Sequence, residues 1–368
     1  MAIRSPWWGL TALCLPMLIV SMDVSVLFFA VPYIAADLEP SAAQQLWIFD
    51  IYGFVLAGLL LTMGSVADRI GHRRLLMLGA AGFGAASVVA AFATSAEMLI
   101  GARALLAVAG ATLMPSTLAM IRHLFDDEDA RRKAIATWNA VLAGGVAVGP
   151  IISGFLLEHF WWGSVFLINV PVMVVLLLVA PVLLPGHTAV PGRRVDVLSA
   201  VLALGAILPV IDGIKSLAAD GWSVAAVLTI AVGGVIGSVF VWRQRRLADP
   251  LVDLILLGER RFATSVSVNL MCMFAMLGNS ILMTQYLQSV LGYSPLRAAL
   301  WSLAPTVVVG AVAPLAAVAA NRAGRPAVIV AGLLVGAAGF VVLASSTGIH
   351  TLLPVLVGAT LLLSLIHI

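Results

Sequence analysis

What most constrains this chain is a succession of apolar runs, each about 20 residues long, separated by short segments of which every second one is basic. Inside a lipid bilayer no water satisfies backbone N–H and C=O groups, so only helices and closed barrels cross it. Uninterrupted apolar stretches, rather than strict alternation, select helices. The runs lie at 9–33, 47–67, 75–94, 98–120, 134–157, 164–184, 196–215, 223–242, 262–290, 296–319, 327–346 and from 351 onward. Composition excludes a soluble domain: 62% of the 368 residues are hydrophobic, 10% are charged and the mean hydropathy is +1.11. A soluble domain carries about a quarter charged residues. The first run is too long for the apolar core of a signal peptide, so it is read as an uncleaved span.

Charge supplies the topology. Of the 20 Lys and Arg residues, 17 fall at the N-terminus or after even-numbered runs: Arg4, Arg69, Arg73, Arg74, Arg122, Arg131, Arg132, Lys133, Arg193, Arg194, Arg243, Arg245, Arg246, Arg260, Arg261, Arg322 and Arg325. Lys215 and Arg297 fall on the other side, and Arg103 sits at membrane depth. Because basic loops stay inside, the N-terminus and the even-numbered loops are predicted to be cytoplasmic. The isoelectric point near 9.2 is thereby assigned to topology, and a nucleic-acid partner is not expected. Cys14 and Cys272 both lie within apolar runs and form no disulfide framework or metal-ligand spacing.

Three stretches carry chemistry. After the second run comes Gly64-Ser-Val-Ala-Asp68-Arg69-Ile-Gly71-His72-Arg73-Arg74. Glycine permits a tight turn, arginines hold a loop at an anionic membrane face, and Asp68 accepts charge-assisted hydrogen bonds. The fifth run holds Gly145-Val-Ala-Val-Gly149-Pro150-Ile-Ile-Ser153-Gly154. Small residues four apart let helices approach closely, and Pro150 removes a backbone hydrogen bond and bends the helix. In the first run Asp23 stands mid-span, where a lone carboxylate must be paired, wetted or protonated. Such a group can take up and release a proton as water access alternates.

These stretches resemble motifs of the major facilitator superfamily. The loop from Gly64 to Arg74 is similar to its signature loop, with His72 where that family usually has Arg or Lys. The resemblance implies that Gly64, Asp68, Arg69, Gly71, Arg73 and Arg74 latch a cytoplasmic gate. Gly145, Gly149, Pro150 and Gly154 resemble the antiporter motif of its exporters. Asp23, followed by a β-branched and hydroxyl run and by Ala30-Val31-Pro32, resembles the first-span motif of the fourteen-span drug:proton antiporter branch. Gln44-Gln45-Leu46-Trp47-Ile48-Phe49-Asp50-Ile51-Tyr52, Thr284-Gln285-Tyr286-Leu287-Gln288 and Asn169-Val170-Pro171 look like segments of the quaternary-ammonium pumps of that branch. Arg103 matches the arginine of the fourth-span motif, although Ala107 replaces the glycine usual four residues on.

The fold expected is all-α and integral to the membrane: two pseudo-symmetric six-helix bundles with two additional central helices. Residues 1–186 form the first bundle, 187–248 the additional pair, and 249–368 the first four helices of a second bundle, truncated at its C-terminal end. Residues 364–368 read as non-native. The resemblance implies export of lipophilic or cationic drugs in exchange for protons, with Asp23, Asp50 and Arg103 handling proton and charge. Trp138, Tyr52, Gln285 and Tyr286 are candidate substrate-lining residues. Trp161 and Trp162 read as interfacial anchors, and Asp212 as a wet boundary residue. The uncharged stretch 306–310 favours monocations over dications. An exporter of a single antibiotic or endogenous metabolite is the rival of the same fold. A membrane enzyme would need clustered nucleophiles or a metal motif, and an ATP-driven pump a phosphate-binding loop. The sequence carries none of these. The proton gradient is therefore the expected energy source, with no cofactor and no metal, and the chain is expected to act as a monomer.

Overall fold

A computed structural model describes residues 5–186, 196–247, 250–252, 254–345 and 351–363. Arg4, Arg193, Arg194, Asp249 and residues 364–368 lie outside the described residues. Each apolar run is helical over most of its described length. In order the helices are α1 (Pro6–Leu38), α2 (Ala42–Ile70), α3 (His72–Ala91), α4 (Ala96–Leu124), α5 (Glu128–His159), α6 (Ser164–Leu167), α7 (Asn169–Leu183), α8 (Val197–Asp220) and α9 (Val224–Gln244). Then follow α10 (Leu254–Gly258), α11 (Arg260–Gln285), a π turn (Tyr286–Val290), α12 (Pro295–Ala323), α13 (Arg325–Ser345) and α14 (Leu352–Leu363). Among the described residues, ten helical segments are long and apolar enough to cross a membrane. The protein is a multi-pass membrane protein.

Helix starts follow side-chain capping. Ser41 and Gln44 form a reciprocal capping box at α2, with bonds of 2.8 and 3.2 Å. Ser95, Ser223 and Asp196 each accept a first-turn N–H, at α4, α9 and α8. Prolines lie inside α1, α4, α5, α7 and α8. Neighbouring helices and hydroxyl side chains make such breaks tolerable in lipid.

The chain divides into two compact units. One comprises 1–146 and 161–254, the other 147–160 and 255–368. The two additional helices, α8 and α9, thus group with the first six spans, while the second half of α5 groups with the C-terminal helices.

In the first unit small residues set close helix contacts. A Cβ on Gly79 of α3 would meet Thr112 Oγ1 of α4 at 1.8 Å, and one on Gly145 of α5 would meet Ser21 Oγ of α1 at 2.0 Å. At Gly213 and Gly233, α8 and α9 pass equally close, a Cβ there lying 2.5 and 2.7 Å from the facing carbonyls of Ala226 and Ala206. Without a hydrophobic drive between helices in lipid, this close packing holds the bundle. The α8–α9 pair is also clasped at one end. Arg243 donates to Asp196 Oδ1 at 2.8 Å, and Gln244 donates to Ser199 at 2.7 Å. Burial would lift the Asp196 carboxyl, but its hydrogen bonds from Ser199 and Arg243 outweigh that and hold it below the usual carboxylate range.

In the second unit, Gly154 lies where a Cβ would come within 2.6 Å of Leu296 Cα at the start of α12. Gly339 and Gly358 bring α13 and α14 to a similar approach, a Cβ on either lying 2.8 and 3.1 Å from the other's carbonyl. Cys272 and Leu362 pack with Val268, Ala275 and Leu343.

Candidate functional site

Polar residues that lipid would reject collect inside the first unit. Asp23 of α1 and Arg103 of α4 face each other there, with side chains 2% and 1% exposed. Arg103 Nη1 donates to Asp23 Oδ2 at 3.4 Å, so these two candidates are brought together. Asn169, the first residue of α7, is within hydrogen-bonding reach of Asp23 and donates Nδ2 to Ser87 Oγ of α3 at 3.1 Å. The guanidinium carbon of Arg103 stands 5.3 Å from the ring centroid of Tyr52 on α2. Five helices therefore supply one buried polar cluster. Neither Arg103 Nε nor the Tyr52 hydroxyl has a hydrogen-bond partner among the described residues. Each buried, unpaired donor costs about 1–3 kcal/mol. Gly110 of α4 makes room for the phenol, since a Cβ there would lie 3.1 Å from its oxygen.

Asp50, expected to handle proton and charge together with Asp23 and Arg103, has a different partner. Its Oδ2 pairs with Lys215 Nζ of α8 at 3.0 Å. Lys215, read from the sequence as the outer end of the seventh run, is buried, and Asp212 accepts the Trp47 indole N–H at 2.8 Å rather than standing in water. The reason is helix length. The seventh run read from the sequence ends at Lys215, whereas α8 continues to Asp220, and Gly221 with φ of 81° ends it. Lys215 thereby gains helical register with α2. An ionisable pair at Asp212 and Lys215, three apart on one helix face, was the signal available in the sequence. Asn169 belongs to the Asn169-Val170-Pro171 motif, and its single carboxamide in an apolar run is the sequence's sign of a buried contact.

The Gly64–Arg74 loop is tighter than a loop. Gly71 alone separates α2 from α3, with φ 97° and ψ 131°, and its N–H bonds to the Ala67 carbonyl at 2.9 Å. Arg73 Nη1 donates to the Leu184 carbonyl at the end of α7 at 3.1 Å, where the helix dipole favours a cation. Asp68 lies 3.4 Å from His72 one turn on. Arg69 and Arg74 are exposed, and a Cβ on Gly64 would lie 3.8 Å from the Pro115 side chain of α4.

On α5, Gly145, Gly149 and Gly154 are buried and Pro150 lies inside the helix, half-buried. Trp138 is buried and donates its indole N–H to Thr117 of α4 at 3.2 Å, so that edge of the ring is committed to packing. Of the α11 candidates, Gln285 is exposed and Tyr286 half-buried. The π turn that begins at Tyr286 rotates the chain here, with Leu291 N–H bonding back to Tyr286 at 3.0 Å. It is Gln288 that turns inward, its Nε2 buried and without a partner among the described residues. Trp161 is 47% exposed, as an interfacial anchor would be, but Trp162 is 6% exposed and donates to Asp37 at 2.6 Å.

The sequence matches the family profile of the Major Facilitator Superfamily across residues 13–366. It is 47% identical over 338 residues to LfrA of Mycolicibacterium smegmatis, described as a multidrug efflux pump, covering 92% of this chain and 67% of that protein. It is 38% identical over 335 residues to SmvA of Salmonella typhimurium, described as a methyl viologen resistance protein, covering 91% and 68%. A crystal structure of the peptide transporter POT in complex with sulfate superposes with a TM-score of 0.67 at 18% identity, covering 97% of this chain and 80% of that one. That likeness concerns the fold. A profile match over nearly the full length, relatives of this identity and a shared helical architecture together decide the family: the chain belongs to the Major Facilitator Superfamily.

Proposed function

We propose that this chain is a multidrug efflux transporter that exports lipophilic or cationic compounds in exchange for protons. The observation that carries the reading is the Asp23–Arg103 pair, an acid and a base sealed from solvent within membrane-spanning helices. A structural strut alone has no need of orphaned donors beside it, whereas proton exchange needs a carboxylate whose pairing can be broken and remade. Arg103 holds Asp23 ionised in one state. Protonation of Asp23 frees the guanidinium, and Tyr52 and Asn169 lie within the same cluster to receive the rearranged hydrogen bonds. The 47% identity to a multidrug efflux pump supports export rather than uptake. We place the chain in the fourteen-span drug:proton antiporter branch, in the cytoplasmic membrane, with a cytoplasmic N-terminus and acting as a monomer.

Quaternary ammonium compounds and cationic dyes are the proposed substrates. Methyl viologen, for which the 38% identical relative is named, carries two charges. The monocation preference expected from the uncharged stretch 306–310 therefore meets its test in that compound. The deciding experiment is dye efflux in energised vesicles, with and without a proton uncoupler, for the native chain and for Asp23→Asn. Uncoupler-sensitive efflux that disappears in Asp23→Asn is the expected result. Efflux at native rates by a normally inserted Asp23→Asn protein overturns the proton site.

A further inference from the structure

The ammonium of Lys215 occupies a receptor of a particular kind. It donates to Asp50 Oδ2 at 3.0 Å and to the Leu46 carbonyl at 2.9 Å. It also stands 4.2 Å from the ring centroid of Trp47 and 5.8 Å from that of Phe54. The Trp47 indole is itself fixed by its bond to Asp212 Oδ1 at 2.8 Å. A carboxylate, a carbonyl and two aromatic faces, one of them anchored by a second acid, are the groups that recognise an organic cation. A simple ion pair across α2 and α8 would require only Asp50 and Lys215. The anchored indole face goes beyond that requirement. The Lys215 side chain is 9% exposed, whereas that of Asp50 is 45% exposed, so the acid can be reached while its present partner is enclosed.

We propose that this α2–α8 cage is a second binding site for lipophilic monocations, and that Lys215 is its tethered occupant, displaced by the arriving cation. The proposal rests on the export reading and adds a subsite distinct from the Asp23 cluster. A tethered ligand competes at an effective concentration on the order of millimolar or above. Small hydrophilic cations cannot match that by charge alone. A lipophilic cation can, because it adds apolar contact with the indole and phenyl rings. The lysine's flexible four-carbon stem lets the displaced ammonium reach solvent while its methylenes stay on apolar surface.

The test is direct binding of radiolabelled tetraphenylphosphonium to the purified full chain in detergent. Asp23→Asn serves as the background, so that the Asp23 cluster does not contribute. Adding Lys215→Gln is expected to tighten binding about tenfold, the ratio one desolvated cation–π contact supplies. Adding Trp47→Leu is expected to abolish the gain, and Lys215→Arg to give none. A monodisperse Lys215→Gln protein that binds no tighter overturns the proposal, as does a gain that survives Trp47→Leu. Should Lys215→Gln not fold, Lys215 itself reports. Saturating tetraphenylphosphonium should increase acylation of its amine, read by mass spectrometry, and unchanged acylation overturns the proposal equally. Cage binding without any cellular efflux would remove the export reading and leave the cage. Efflux without cage binding would remove only the cage.

Discussion

At Asp23 and Arg103 two opposite charges share a low-dielectric interior, and removing either leaves the other uncompensated. Arg103→Leu is therefore expected to destabilise the protein by about 3–5 kcal/mol, the cost of a buried charge stripped of its partner. Thermal unfolding in detergent measures this, and the double variant Asp23→Asn/Arg103→Leu should recover much of the loss. Additive losses in that cycle would show that the two side chains do not act as a pair. Asp23→Asn alone should insert and fold while losing proton-driven efflux. Both residues were legible in the sequence because each is a lone ionisable group deep in an apolar run, where chance retention is costly. Their partners Tyr52 and Asn169 were less so, since a phenol or a carboxamide in such a run signals burial without naming the neighbour. The burial of Lys215 was not legible, because it depends on α8 running on to Asp220, and a helix boundary is the feature that local composition fixes least.

Among the elements, the α2–α3 junction is the most demanding. Gly71 has a positive φ that a side chain resists, and a single residue reverses the chain there. Gly71→Ala is expected to cost about 1–3 kcal/mol from backbone strain, visible as a lowered unfolding midpoint with unchanged helix content. On α5, Gly145→Leu should disturb the contact with Ser21, two residues from Asp23, and reduce efflux more than expression. Efflux unchanged in a well-expressed Gly145→Leu protein would show that α1 yields freely there. The α8–α9 clasp answers to pH in one direction. Because the Asp196 carboxyl is held below its usual range, its contribution is fully present above that range and fades only as pH falls through the lowered value. The stability difference between the native chain and Arg243→Gln should thus be flat from about pH 5 to about pH 8 and shrink in stronger acid. The π turn at Tyr286 could not be read from the sequence. Nothing in local propensity distinguishes a five-residue π repeat from a continuing α-helix.

For the whole molecule, every apolar run read from the sequence is mainly helical among the described residues, because lipid leaves the backbone so few alternatives. The grouping of those helices was not legible in the same way. It depends on which small-residue faces meet, and glycines occur on nearly every span. The proposed orientation can be checked with the protein's own chemistry. Both native cysteines are buried, so a Cys14→Ser/Cys272→Ser chain can carry single reporters. Ala42→Cys should react with a membrane-impermeant maleimide in intact cells, and Arg132→Cys only after permeabilisation. The reverse pattern would invert the topology. The α2–α8 contacts also bear on how the chain is made. Trp47 and Asp212 are 165 positions apart, and Asp50 waits equally long for Lys215. At about 5–20 residues per second, the ribosome needs on the order of ten to thirty seconds to supply α8 after α2 has emerged. During that interval the nascent α2 carries a carboxylate that lipid disfavours and no protein partner for it. Until its lysine is synthesised, that helix depends on a proton, on water at the membrane boundary or on the insertion machinery rather than on the finished fold.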